Sequence, residues 1–559
     1  MSLDWRYWFF AALFMLHHLM LADAASYGAK ECRIPRLAEA TAEQLQDGLQ
    51  KGCFNSVDLV KAYMDRISKI DAQFGTILEL NPDALGIAKQ LDSERAQGKT
   101  RSPLHGLPVL LKDMIGTKDK MQTAGIVPLL CSVSPALADE SLAGSWTLVG
   151  AKVPADSTVA AKLRENGLVI LGKTSMSEWA NFRSLNSSNG WNARRGYTFG
   201  AYYPDQDPNG SSSGSAVATD LGLITFALGT ETSGSILLPS ERNNIVGIKP
   251  TVGLTSRYMV IPLSERQDTI GPLARTVKDA AMLLQAIAGP DDKDNYTLAS
   301  PFAEKLPDYI AACKLSGLQD KRIGIPRNVI EYLGPAGAPI VSAFEAAVTV
   351  ISAAGATVVD NANFTAYSDF YGGLIPAMVV AADFSTNIKG YLGNLERNPN
   401  DLHSLEDIRD FTHHSALEGY PARDTGVWDQ TIALGMDNTS PSFWSLYQEI
   451  LYFGEEGGLL GALSRGKLDA VILPTLVGFD IPAIVGTPGI TVPLGAYPNG
   501  TPVEYNTRGD LIQRAPGIPF GISFLGPKWS EEELIGMAYA FEQQTLVRDK
   551  LKRSLKVDS

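Results

Sequence analysis

Histidine and cysteine are scarce in this chain, and basic charge is outweighed by acidic. Of 559 residues, six are histidine and four are cysteine. Lysine and arginine together number 48 against 61 aspartates and glutamates, a formal net charge of −13 with no basic block. That balance lacks the electrostatic footprint of a nucleic-acid binder. An acidic surface of this kind serves solubility and says little about fold. Cys32, Cys53, Cys131 and Cys313 are scattered, without the C-x2-C spacing of a zinc site. They permit three full pairings, and buried free thiols remain an equal alternative to disulfides. Phosphate loops are missing as well: there is no G-x-x-x-x-G-K-[ST], and "GSSSGS" lacks both the Rossmann spacing and a strand immediately before it. No metal or organic cofactor is expected.

Long apolar runs are confined to the N-terminus, "MSLDWRYWFFAALFMLHHLMLADAASYG". Arg6 precedes the apolar stretch from Tyr7 to Leu16, and Ala22-Asp23-Ala24 fits the small-x-small pattern of a cleavage site, so residues 1–24 read as a signal peptide. A retained anchor is the competing reading; its apolar span, broken by His17 and His18, falls below the ~20 residues a bilayer needs. No later segment reads as long and apolar enough to span. The chain is therefore expected to be secreted. Sequons at Asn186, Asn209, Asn295, Asn363, Asn438 and Asn499 agree with that route.

What is present is a chain 45% hydrophobic and 19% charged, long enough to bury a large core. In "SVDLVKAYMDRISKI", Leu59, Val60, Tyr63 and Ile67 recur at helical spacing, with Ser56 as the expected N-cap. Short apolar strands are expected at 107–112, 168–173, 322–326, 469–475, 489–495 and 520–526. Helical segments such as "TVKDAAMLLQAIAG" and "SEEELIGMAYAFEQQT" separate several of them, and in the latter Ser530 and Glu533 have capping-box spacing. Strands alternating with helices predict an α/β fold, helices covering both faces of a central sheet. One large domain over residues 27–550 is expected, with the helix-rich, aromatic stretch 386–465 as a cap-like insertion.

One segment resists a simple reading: "PNGSSSGSAVATDLGLITFALGTETSGSILLPS", Pro208 to Ser240. Two Gly/Ser clusters flank a run fit for a core. A flexible linker would not carry that run, because exposed it would invite aggregation. Gly210-Ser211-Ser212-Ser213-Gly214 matches G-x-S-x-G, which would make Ser212 a nucleophile, but Pro204 and Pro208 argue against the strand such an elbow needs. Its histidine partner would have to be His403, His413 or His414, since His105 precedes it in the chain. A separate reading uses lysine: "HGLPVLLKDMIGT" delivers Lys112 at the end of an apolar strand, where burial would favour the neutral amine as a base. On spacing alone, a lysine whose stem lies along the apolar edge and whose ammonium reaches water is the simpler alternative.

These residues, with "NIVGIKPTVGLTSRYMVIPLSERQDTIGPLARTVKDAA", "PLHGLPVLLKD", "VILGKTSMSEWANFRS", "NGWNARRG", "GTPGITVP" and "GISFLGPKWSEEELIGMAYAFEQQT", resemble the amidase signature family over nearly the whole chain after the signal. "GSSSGSAVA", "GTETSGSI" and "SEWANFR" look most like its peptide-amidase branch and fungal relatives. The resemblance implies a three-layer α/β/α sandwich with a large mixed central sheet. It also implies amide hydrolysis by a Ser-Ser-Lys triad: Ser235 in "TSGSI" as nucleophile, Ser211 as the bridging serine, Lys112 as the base. Ser212 would support the site by hydrogen bonding, and the bridging serine would sit at a cis peptide. Backbone N–H groups of Thr232, Ser233, Gly234 and Ser235 would form the oxyanion hole. The partner implied is a small-molecule or peptide amide, with no nucleic acid and no membrane span after signal removal; the oligomeric state stays open.

The chain departs from the family pattern at Ser233, where glycine is common, at Leu237 for arginine, at Glu231 for aspartate and at Met114 for asparagine. None removes a triad member, so the departures bear on substrate preference. Two other functions compete: a catalytically silent binding relative, against which the intact Lys112, Ser211 and Ser235 stand, and a tRNA-linked amidotransferase subunit, against which the signal and the absent basic patch stand.

Overall fold

All six apolar runs expected as strands fold as strands, and all six join one sheet. The computed structural model describes residues 32–121, 143–302 and 305–555. In chain order the sheet contains β1 (Ile77–Leu80), β2 (Pro108–Lys112), β3 (Val169–Thr174), β4 (Phe226–Glu231), β5 (Val246–Lys249) and β6 (Thr269–Ala274). It continues with β7 (Arg322–Ile325), β8 (Thr357–Asp360), β9 (Ala470–Pro474), β10 (Gly489–Ala496) and β11 (Pro519–Leu525). Their spatial order is β1-β3-β2-β4-β6-β5-β10-β11-β9-β7-β8. Pairing is parallel between β2 and its neighbours β3 and β4, and again among β9, β7 and β8, with antiparallel pairs between. The sheet is therefore mixed. β2, β3, β4, β6, β9 and β11 are buried at every residue, which requires helices on both faces and explains why they read as unbroken apolar runs rather than alternating ones.

Helix starts diverge from the sequence reading in two places. Ser56 is the first helical residue; Asn55 caps the helix Ser56–Phe74, accepting from the Asp58 N–H while Asp58 accepts from the Asn55 N–H. At Ser530 there is no capping box, because its hydroxyl donates back to the Pro527 carbonyl at 2.7 Å. A third correction concerns span length: among the described residues, the helical stretch Pro335–Ala353 is long and apolar enough to cross a membrane. It packs on the sheet instead, burying Ile340, Phe344, Ala347 and Ile351, and Glu345 on its far side pairs with Arg327.

Helices Ile375–Gly393, Leu405–His414, Gly426–Leu434 and Pro441–Gly454 make up the aromatic-rich region, the first beginning ahead of residue 386. Phe384 of this region packs edge-on against Trp179 and Phe182 of the "SEWANFR" segment, and Trp428 against Trp179. Asp383 is fully buried and ion-paired with Arg266; Asn438 donates its side-chain Nδ2 to Asp383 at 2.9 Å and to Glu265 at 3.3 Å. The sequon at Asn438 thus lies in the interior, whereas Asn186, Asn295 and Asn499 are exposed. Cys32 and Cys53 form a disulfide and Cys313 is a free thiol. Cys131 and the expected signal, 1–24, lie outside the described residues.

Candidate active site

Parallel strands point their C-terminal ends the same way, and in open α/β sheets that edge carries ligand sites. Here β2 ends at Lys112, β4 leads into Thr232–Ser235, and β3 leads into the segment around Ser177. The apolar run between the two Gly/Ser clusters folds as the helix Ser213–Asp220 followed by β4, fixing the separation of the loops that flank it. The Gly210–Ser211 peptide is cis, as the resemblance implied. Its surroundings hold it on several sides. The Ser211 carbonyl accepts from the Ser177 N–H at 3.1 Å, and the Ser213 hydroxyl donates to the Asn209 carbonyl at 2.7 Å. The Ser212 N–H donates to the Ser235 carbonyl at 3.2 Å, binding one loop directly to the other.

Among the described residues three lysines are fully buried in strands: Lys112, Lys173 and Lys249. Lys173 donates to the Ile115 carbonyl and Lys249 to the Thr487 carbonyl. Among the described residues, Lys112 alone of the three meets a hydroxyl. Its Nζ donates to Ser211 Oγ at 2.7 Å and to the Thr230 carbonyl at 3.2 Å. Burial pushes its pKa down to about 7, against an upward pull from Glu231 and Asp268. A fully enclosed ammonium is costly, so the neutral amine is accessible near neutral pH. Ser212, also fully buried, donates its hydroxyl to the same Thr230 carbonyl at 3.2 Å.

The Ser235 turn is pinned by a residue the sequence reading noted only as a departure. Glu231 Oε2 accepts from the N–H groups of Ile236 at 2.6 Å and Leu237 at 2.9 Å. Burial raises its pKa, while Lys249 and these N–H groups, with that of Gly234, favour its charged form. The Gly234 N–H therefore faces Glu231 as well. Gly234 has φ of +75°, and a Cβ there would lie 2.7 Å from Leu238 and from Phe479, so glycine is required. Thr232 Oγ1 donates to Asp268 at 2.6 Å, and Ser233 Oγ donates to Asp480 at 2.8 Å. Asp268 and Asp480 are both pushed up to about 6 by burial. Neither carboxylate has a local signal in the sequence; Asp480 reaches Ser233 across 247 residues.

Ser235 opens onto a cavity of about 240 Å³ walled by Phe182, Phe370, Val380 and Ile484, with Ser233 and Asp480 beside it. A larger cavity of about 430 Å³, reached past Thr232 and Leu263, contains Asp268 but does not include Ser235. The smaller one is lined by Ser235 and is the candidate substrate site. None of the histidines weighed for a Ser-His pair reaches either cavity. His105 is buried against the Leu91 carbonyl, His403 pairs with Asp401, His413 bonds Thr425, and His414 bonds the Asp410 carbonyl. Among the described residues no group of three His, Cys, Asp or Glu side chains could hold a metal.

A family model described as Amidase matches residues 58–478, and the chain belongs to that family. It is an amide-hydrolysing enzyme by family, on the amidase signature fold. It is 52% identical over 543 residues to the protein named "Putative amidase" of Arthroderma benhamiae, covering 93% of this chain and 88% of the relative. A second relative, from Schizosaccharomyces pombe and also named a putative amidase, is 36% identical over 545 residues, covering 92% and 86%. Among solved structures, native peptide amidase from Stenotrophomonas maltophilia superposes with a TM-score of 0.78 at 34% identity, covering 93% of this chain and 99% of that one.

Proposed function

We propose that this protein is a secreted amidase that hydrolyses carboxylic amides, C-terminal peptide amides or small aliphatic and aromatic amides, through Lys112, Ser211 and Ser235. The observation that carries the reading is the dry Lys112 amine, 2.7 Å from the Ser211 hydroxyl at the end of a buried strand. In the reaction, neutral Lys112 accepts the Ser211 proton as Ser211 accepts that of Ser235, and Ser235 Oγ attacks the amide carbonyl. Backbone N–H groups of the Thr232–Ser235 turn face the developing oxyanion, with that of Gly234 shared with Glu231. Losing one such donor typically costs ~10²–10³ in rate. Lys112 then returns a proton through Ser211 to the leaving nitrogen, the C–N bond breaks, and water hydrolyses the acyl-enzyme by the same relay. Ser212 holds the Thr230 carbonyl that orients the amine. The likeness to a protein named peptide amidase supports peptide amides as the substrate class. The Cys32–Cys53 disulfide and the N-terminal segment support export, since disulfides persist in oxidising compartments.

The test is direct. A fluorophosphonate probe should label Ser235, identified by peptide mass mapping, and a panel of primary amides should be turned over in its absence. Labelling elsewhere, or full activity in Ser235→Ala, would overturn the assignment.

A further inference from the structure

The cavity over Ser235 is walled mainly by apolar side chains, with Thr232, Ser233 and Gln267 among the polar ones, and it holds one charged group. Among the described residues that wall it, Asp480 alone is ionisable, and none is a lysine, arginine or histidine. Asp480 begins the short helix Asp480–Val485, and its Oδ1 is held by Ser233, two residues from the nucleophile. That bond fixes the carboxylate beside the reacting hydroxyl. A carboxylate accepts at four lone-pair sites, so one hydroxyl leaves acceptor capacity for a ligand. Asp268, its counterpart on the other side of the turn, is already engaged by Thr232 and by the N–H groups of Leu263 and Ser264.

We infer that Asp480 is the specificity-determining residue of this site: it accepts a hydrogen bond from an N–H on the carbon next to the scissile carbonyl. The site therefore selects amides with an ammonium or acylamino group at that carbon and rejects those with a carboxylate there. This deepens the proposed function, on which it rests for the position of the scissile carbonyl. A C-terminal peptide amide has such an N–H in every residue but proline, and phenyl or alkyl side chains match Phe182, Phe370 and Val380. Burial holds Asp480 near 6, so it is mostly ionised at neutral pH, and a bound cation would lower it further. A second anion in the same space would meet like charge at Asp480, where the lining offers no cation and a single unpartnered amide donor, Gln267 Nε2.

Three probes isolate the effect: 3-phenylpropanamide, its 2-ammonio analogue phenylalaninamide, and its 2-carboxy analogue 2-benzylmalonamic acid. Their dissociation constants are measured by calorimetry at pH 7 on Ser235→Ala protein, so that binding is read without turnover. Phenylalaninamide should bind about tenfold tighter than the neutral probe and the malonamic acid about tenfold weaker, the scale of one charge-assisted bond. Adding Asp480→Asn, which can still hold Ser233, should collapse both differences while leaving the neutral probe within about threefold. An unchanged ranking, an equal loss for all three probes, or no binding by any would overturn the inference. If the ranking appears but unsubstituted enzyme turns over no amide, the catalytic proposal fails, and what stands is the selection by Asp480 of ligands with a 2-ammonio group.

Discussion

At the scale of single residues, Lys112 ties pH to both activity and stability. In the proposed mechanism Lys112 works as a base only after its amine has lost its proton, so kcat/KM should rise with pH through about 7 and level off above it. Lys112→Met should lower kcat by ~10²–10⁴ and abolish that rising limb; steady-state pH profiles of both proteins check it. Stability runs in the same direction with pH, although the buried amine itself costs stability. The folded pKa lies below the unfolded value, so between about 7 and 10.5 the unfolded chain binds more protons and stability gains as pH rises. Removing the amine should therefore stabilise the fold most clearly below pH 7, measured by urea unfolding at pH 6. A second residue, Glu231, acts through the turn it holds. Glu231→Ala leaves the Ile236 and Leu237 N–H groups unpaired in the interior, a cost of about 1–3 kcal/mol each at most.

Among elements, the link between the "SEWANFR" segment and the aromatic-rich helices decides the shape of the substrate wall. Arg183 donates to Glu178 at 2.8 Å and to Glu418 at 2.9 Å, and its other nitrogen donates to the carbonyls of Glu418 and Arg423. All three side chains are buried. Burial and the neighbouring Glu418 raise the pKa of Glu178 well above the usual carboxylate range, with Arg183 opposing them. Arg183→Met would leave two interior carboxylates without their cation and should cost about 3 kcal/mol by denaturant unfolding. Because Ala180 and Phe182 of the same segment wall the cavity, KM should rise as well.

The strands and their order of appearance were legible because fully buried runs such as "PVLLK" and "VILGKT" have no polar phase to confuse them. Lys112, Ser211 and Ser235 were legible through motif resemblance. Asp480 and Asp268 were not, since each meets the Ser235 turn through the fold rather than through neighbouring sequence. Ser530 shows the limit at short range: capping-box spacing was present, but a nearer carbonyl captured the hydroxyl.

For the whole molecule, the ends matter more than their lack of motifs suggests. The Cys32–Cys53 bond closes a 21-residue separation that includes the helix Ala42–Gln50. Helix entry at Ala42 is held by Asp279, so this N-terminal piece is stitched to the β6 side of the sheet. Cys53→Ser should lower stability by about 3 kcal/mol in the chain-entropy picture, read as a lower denaturation midpoint under non-reducing conditions.

At Asn438 one nitrogen is offered two incompatible duties. The atom that braces Asp383 and Glu265 is the same atom to which an oligosaccharide would be joined. On the proposed export route, a newly made chain decorated there before its helices assemble would have to bury a sugar beside Asp383, so folded molecules are expected to carry Asn438 unmodified.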